Sequence, residues 1–434
     1  ARREPGDDHR VAHQTQPNPP AVRTPKIVQG VRFAVGRRSA MRDWIGRHGR
    51  IFEINVPFFG RSVVVSDPHL VRSVCAAGPG QLDLIRPNLG NWFGPGSIFG
   101  MEGERHLERR RLLTPALHGQ WVTEYERVIE DETLREIANW PEGQEFRTLP
   151  SMNRITLTVI LRAVLGAEGS DLDRLREIIP PYMRLGQLLA FVPRPRFRTT
   201  LRYPRGRLDQ LRTEFDRIVD SLIVQATTDP AGERTDVLAR FLRSGPDGVG
   251  IPPSDLHDEL MTLVCAGHET TANMIGIGVL ALLENPEQLA FLRDTDDPKA
   301  VANAVEELLR WEAPAQYLVR YTLQDAELHG QTIPAGNAVM ICVGAANRDE
   351  RAFPHADTFD ITRDRTTAQN LGLGYGEHSC LGAALARIEC IAALDRMLDF
   401  MRRRIFARQG SFLRPIDAHD MMCAVGSAAV SGGV

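Results

Sequence analysis

The stretch "NLGLGYGEHSCLGAALAR", residues 370–387, sets Gly372, Gly374, Gly376 and Gly382 around Cys380 and runs straight into an alanine- and leucine-rich segment. Glycine reaches backbone conformations closed to other residues and lets a flat partner approach the main chain, so the run reads as a tightly folded loop. Leu381, Ala384, Leu385, Ile388 and Ala392 then follow helical spacing, which predicts a helix with Cys380 at its N-terminus. The positive end of a helix favours thiolate over thiol. Taken alone, the same residues also fit a buried structural cysteine beside a turn, because free cysteine packs as a small hydrophobe.

The rest of the chain narrows the choice. Its 434 residues, 43% hydrophobic and 25% charged, can bury a large core. A formal charge of −3 gives no global reason to expect nucleic acid as a partner. The six cysteines are scattered with no CxxC pair, which argues against a disulfide framework or a structural zinc site and favours a reducing cytoplasm. No uncharged apolar run is long enough to predict a transmembrane segment. Residues 1–24 read as disordered, 25–410 as one large mixed domain without a linker, and 411–434 as an atypical tail.

Long helical patterns dominate, with strand-rich islands at 50–68 and 317–342. Pro- and Gly-rich segments at 86–103 and 191–204 interrupt the helices. The most informative helix starts at "PPSDLHDEL", where Ser254 is the expected N-cap, and runs to a stop at Asn285-Pro286. At 1.5 Å per residue it would span about 45 Å. Its middle, "AGHETTA", places Ala266, Gly267, Glu269 and Thr270 in an otherwise apolar helix. Glycine weakens helix there, and threonine can hydrogen-bond a carbonyl three or four residues back. The segment therefore reads either as a groove admitting water or a small ligand, or as a solvated face. Further on, "VEELLRWEAP" puts Glu307 and Arg310 three apart, on one helical face.

In this order and spacing the three motifs resemble the cytochrome P-450 superfamily of haem-thiolate monooxygenases in its soluble bacterial form. The family's Phe-x-x-Gly-x-x-x-Cys-x-Gly loop is matched from Leu373 through Gly376 and Cys380 to Gly382, with Gly374 inside it, except at its first position. The resemblance implies a mainly α fold with small β-sheets, a single domain, and haem b held between the long central helix and the cysteine loop. It makes Cys380 the iron ligand, His106, Arg110, Arg320 and His378 the propionate holders, and Glu307–Arg310 a buried structural pair. It assigns proton delivery to iron-bound O2 to Glu269 and Thr270, with Ala266 and Gly267 leaving room for oxygen and substrate.

Two departures stand out: Leu373 replaces the usual phenylalanine, and Thr358 stands where relatives carry an arginine completing the Glu-Arg pair, so Arg351, His355 or Arg363 would have to substitute. Aromatic and apolar residues near Leu89, namely Trp92, Phe93, Ile98 and Phe99, together with Leu318 and the lid-like segment 180–197, suit a hydrophobic small-molecule substrate. The chain has no flavin or iron–sulfur motif, so the resemblance implies a separate ferredoxin and ferredoxin reductase. Arg109, Arg111 and Arg387 are the expected basic patch for the ferredoxin. A haem-thiolate peroxygenase or isomerase, a non-catalytic haem sensor or binding protein, and a zinc protein using His378 and Cys380 are the alternatives.

Overall fold

In a computed structural model, the structure describes residues 19–57, 60–77, 82–84, 90–118, 120–141, 146–190, 202–228, 234–243, 250–328, 330–366 and 368–407. Helices dominate, and the longest, Pro253–Glu284, forms the central helix. It packs against helix Thr148–Leu165 and against the cysteine helix, Ala383–Ala407. Leu260, Val264, Ala272 and Ile275 of the central helix are fully buried with Val159, Leu161 and Leu165 in the main core. These are the positions the helical repeat marks as apolar, and their burial holds the rod in place.

The two strand islands combine in one sheet. Strands β1 (Ile51–Val56), β2 (Gly60–Val65), β3 (Leu82–Leu84), β4 (Tyr317–Thr322) and β7 (Ala338–Cys342) are ordered β1-β2-β7-β4-β3, with only β2–β7 parallel. Strands β5 (Ala326–Leu328) and β6 (Gln331–Ile333) form a separate hairpin. In β4 the side chains alternate faces. Tyr317 and Val319 join one apolar cluster with Trp44 and Phe52, while Leu318 packs on the opposite cluster.

Three expectations need correction. Residues 19–24 are not free chain: Val22 is buried, its N–H reaches the Glu53 carbonyl at 2.8 Å, and Ala21 bridges Glu53. Ser254 is not the N-cap of the central helix, which begins one residue earlier behind Pro252; its hydroxyl instead donates to Asp255. The cysteine helix begins at Ala383, so Cys380 precedes it, its carbonyl receiving the Ala383 N–H at 3.3 Å. Leu89, the stretch 191–201 and the tail beyond Ala407 lie outside the described residues.

Candidate active site

The cysteine loop is shaped by its own backbone. Gly374 and Gly376 have φ of 78° and 73°, the left-handed region that favours glycine, and the Cys380 N–H donates to the Leu373 carbonyl at 2.8 Å. A Cβ on Gly376 would sit 2.4 Å from the Cys75 carbonyl oxygen, so the loop lies directly on its neighbour, whereas a Cβ on Gly382 would meet no protein atom. Leu373 turns its side chain toward the main core.

Helix Gly103–Leu113, strand β4 and the loop converge here. His106 and Arg110, one turn apart, share a helix face. The His106 and His378 rings lie 4.2 Å apart between centroids, and Arg110 Nη2 donates to Ser379 Oγ at 3.1 Å. Arg320 comes from β4 and is buried. Burial, with the positive charges of Arg110 and Arg320, depresses His106 to about 4. Burial and Arg320, then His106 and Arg110, depress His378 to about 3. Both rings are therefore neutral near pH 7. The buried Nδ1 of His106 has no hydrogen-bond partner.

Cys380 is an exposed residue, yet the surrounding protein desolvates its sulfur enough to raise the thiol above its ordinary value. The Gly382 N–H and the charges of Arg110 and Arg387 oppose that rise. Among the described residues, no three His, Cys, Asp or Glu side chains gather as a metal-holding group.

On the central helix, Ala266 and Thr270 are the only exposed residues from Asp255 to Leu283. Four residues apart, they mark one open face in a buried rod. Thr270 Oγ1 donates to the Ala266 carbonyl at 2.8 Å, the back-bond expected of a mid-helix threonine. Glu269 accepts from Gln187 Nε2 at 2.8 Å, and burial raises its carboxyl against that hydrogen bond. Gly267 does not leave room on the open face: a Cβ there would lie 2.6 Å from Ile160 Cδ1, so its role is close packing against helix Thr148–Leu165.

Arg310 is fully buried and donates to both oxygens of Glu307 at 2.7 and 2.8 Å, and to the carbonyls of Asn347, Ala356 and Thr358. Arg363 occupies the place left by Thr358. Its Nε lies 3.2 Å from Glu307 Oε2, and it also donates to the carbonyls of His355 and Thr358.

Of the apolar candidates, Phe93 and Ile98 are buried, Trp92 stacks on Phe93 at 4.5 Å, and Phe99 is 38% exposed. Tyr182 Oη donates to the Trp92 carbonyl at 2.9 Å. Leu318 shares a strand face with Arg320. Arg109 is not a surface residue: only 5% exposed, it faces the central helix and leaves the expected basic patch. Arg111 is exposed and pairs with Glu104, while Arg387 is half-buried and pairs with Glu306. Gln187, Ser379 and Glu259 escaped sequence reasoning because each acts on a partner 82, 269 or 150 positions away.

No single helix among the described residues is long and apolar enough to cross a membrane. Residues 19–402 match the family model Cytochrome P450. Cytochrome P-450 138 of Mycobacterium bovis is 41% identical over 390 residues, covering 88% of each chain. Cytochrome P-450 137 of Mycobacterium tuberculosis is 32% identical, covering 85% of this chain and 80% of that one. Among solved structures, P450BioI in complex with hexadec-9Z-enoic acid ligated acyl carrier protein aligns with a TM-score of 0.71 at 25% identity, over 86% of this chain and 93% of that one. Ligand-free cytochrome P-450 TbtJ1 aligns at 0.69 and 27% identity, over 83% and 90%. With its family model, relatives and architecture in agreement, this chain belongs to the cytochrome P-450 family, oxidoreductases of the haem-dependent monooxygenase class.

Proposed function

We propose that this protein oxidises a hydrophobic small molecule with O2, using haem b ligated by Cys380 and electrons from a separate ferredoxin and reductase. The observation that carries the reading is the meeting of His106, Arg110, Arg320 and His378 beside Cys380. Within this cluster Glu377 Oε1 lies 3.2 Å from His378 Nε2. Two guanidiniums, the buried imidazole of His106 and the half-buried one of His378 suit a ligand carrying two carboxylates, and the unpartnered His106 Nδ1 has a donor or acceptor to offer. Open space beside Gly382 suits a flat group lying on the loop. The donor set therefore fits haem.

When bound, thiolate-ligated haem supplies O2 activation, because the sulfur's electron density favours O–O cleavage. Cys380 would give up its proton on binding iron, helped by the Gly382 N–H and by Arg110 and Arg387. The two arginines and two histidines would fix the propionates. Thr270 Oγ1, anchored to the Ala266 carbonyl, would hold a water on the open face by accepting a hydrogen bond from it. Glu269, whose raised carboxyl holds protons more readily than an exposed glutamate, would supply a proton to that water by swinging from Gln187. Phe99 would offer apolar surface to the substrate.

The test is the spectrum of the reduced carbon monoxide complex. The wild-type protein should give the thiolate-type band and Cys380→Ala should lose it, since no other soft anionic ligand lies in the loop. A Cys380→Ala protein with an unchanged band would overturn the ligand assignment.

A further inference from the structure

The Pro- and Gly-rich segment after Gly90 is fastened to the central helix by a buried charge network. Asp258 Oδ2 accepts the Gly96 N–H at 2.9 Å, and Glu259 Oε2 accepts the Ile98 N–H at 3.0 Å. Arg109 braces the same place from helix Gly103–Leu113: it donates to the Gly96 carbonyl at 2.8 Å, to Glu259 at 2.9 Å and to Asp255 at 2.6 Å. From helix Arg202–Thr227, Arg212 donates to the Phe93 carbonyl at 2.8 Å, to Asp258 at 2.5 Å and to Asp216 at 2.8 Å. Thr262 Oγ1 lies 2.7 Å from Ser97 Oγ.

The glycines of this segment are there for contact with the helix. A Cβ on Gly94 would sit 2.1 Å from Asp258 Cγ, and one on Gly96 would sit 2.6 Å from Asp255 Cα. The segment therefore lies flat on the helix at Asp258, Glu259 and Thr262, and Thr262 is one turn before Ala266, the first residue of the open face. Glu259 is fully buried, and its Oε1 has no partner. Burial pushes its carboxyl up to about 7, against the pull of Arg109 and the Ile98 N–H, with Asp255 adding to the rise. A group so placed is costly, which is understandable if it holds something in register.

We propose that Asp258 and Glu259, braced by Arg109 and Arg212, are positioning residues that pin the Gly94–Ile98 segment as the roof of the recess above Ala266, and so set which hydrophobic molecules reach it. The segment's next residue, Phe99, is the aromatic one left exposed, so a shift of the roof moves the pocket wall. The specificity role rests on the reading of the open face as the substrate recess; the clamp itself does not.

Two variants loosen the roof by unrelated means. Glu259→Gln removes the charge Arg109 pairs with at nearly constant shape, and Gly96→Ala lifts the segment without changing any charged group. In haem-loaded protein, either should speed amide exchange of a peptide spanning 94–101 at least five-fold. Either should also change the Kd of 4-phenylimidazole, which reaches beyond the iron, at least five-fold, while the Kd of imidazole stays within two-fold and the carbon monoxide band is unmoved. Unchanged exchange in both variants overturns the clamp. Faster exchange with both azole affinities unaltered, or with both altered equally, overturns the specificity role. If wild-type protein gives no thiolate band, the proposed function fails instead, and the exchange comparison still decides the clamp. Should Gly96→Ala fail to fold, Glu259→Gln carries the test alone.

Discussion

Thr270 and the paired histidines show how single side chains take their chemistry from their surroundings. Thr270 sits on the open face and spends its proton on the Ala266 carbonyl, so its oxygen is fixed in place with lone pairs free for water. Thr270→Ala should keep haem and ligand binding but divert electrons to peroxide. The measurement is product and peroxide formed per electron consumed, and wild-type coupling in the variant would remove Thr270 from proton delivery. His106 and His378 have folded-state values near 4 and 3, below the unfolded value near 6.5. The unfolded chain therefore binds protons before the folded one does. Stability should be full above about 6.5 and fall as pH drops toward 4, by about 1.4 kcal/mol per pH unit for each ring. Denaturant melts of haem-free protein from pH 7.5 to 4.5 should show this loss, and His106→Gln should flatten the slope by about half.

At the scale of elements, the Glu307–Arg310 pair ties its helix to the chain segments that precede the cysteine loop. Arg310 serves Glu307 and three backbone carbonyls, so Arg310→Met leaves the buried Glu307 carboxylate to Arg363 and the Asp360 N–H and should cost about 3–5 kcal/mol. Arg363→Met leaves the main pair intact and should cost less, about 1–3 kcal/mol. Chemical denaturation of both variants checks the order; equal losses would mean that Arg363 carries as much of the network as Arg310. The central helix obeys the same logic of neighbours. Its helical period was evident from Leu256 to Val279, but which polar residues face open space was not. His268 is buried with Nε2 3.2 Å from the Asn153 carbonyl, while Thr270, two residues on, is exposed.

Across the whole molecule, charge has to be judged after folding. Arg109, Arg110 and Arg111 are consecutive in sequence yet serve three different environments: the buried clamp, the cluster beside Cys380, and solvent. Arg111, with 69% of its side chain exposed, is what remains of the expected basic patch in that helix. Arg111→Glu should slow reduction by an acidic ferredoxin several-fold at low salt, and the difference should vanish near 1 M salt, where the screening length is about 3 Å. Stopped-flow reduction at several salt concentrations provides the measurement. Equal low-salt rates would place the docking face elsewhere.

The sequence by itself determined the family, the helical architecture and the residues gathered around Cys380, because those depend on local spacing and on glycines and ligands in a fixed order. It also named Arg363 among three candidates to replace the missing arginine at Thr358. Only the tertiary structure chose among them, turned Gly267 from a gap for ligand into a packing contact with Ile160, and buried Arg109 beside Glu259. Each of those outcomes depends on a partner far away in the chain, and a hydrogen bond or a close contact exists only once folding has brought the two together.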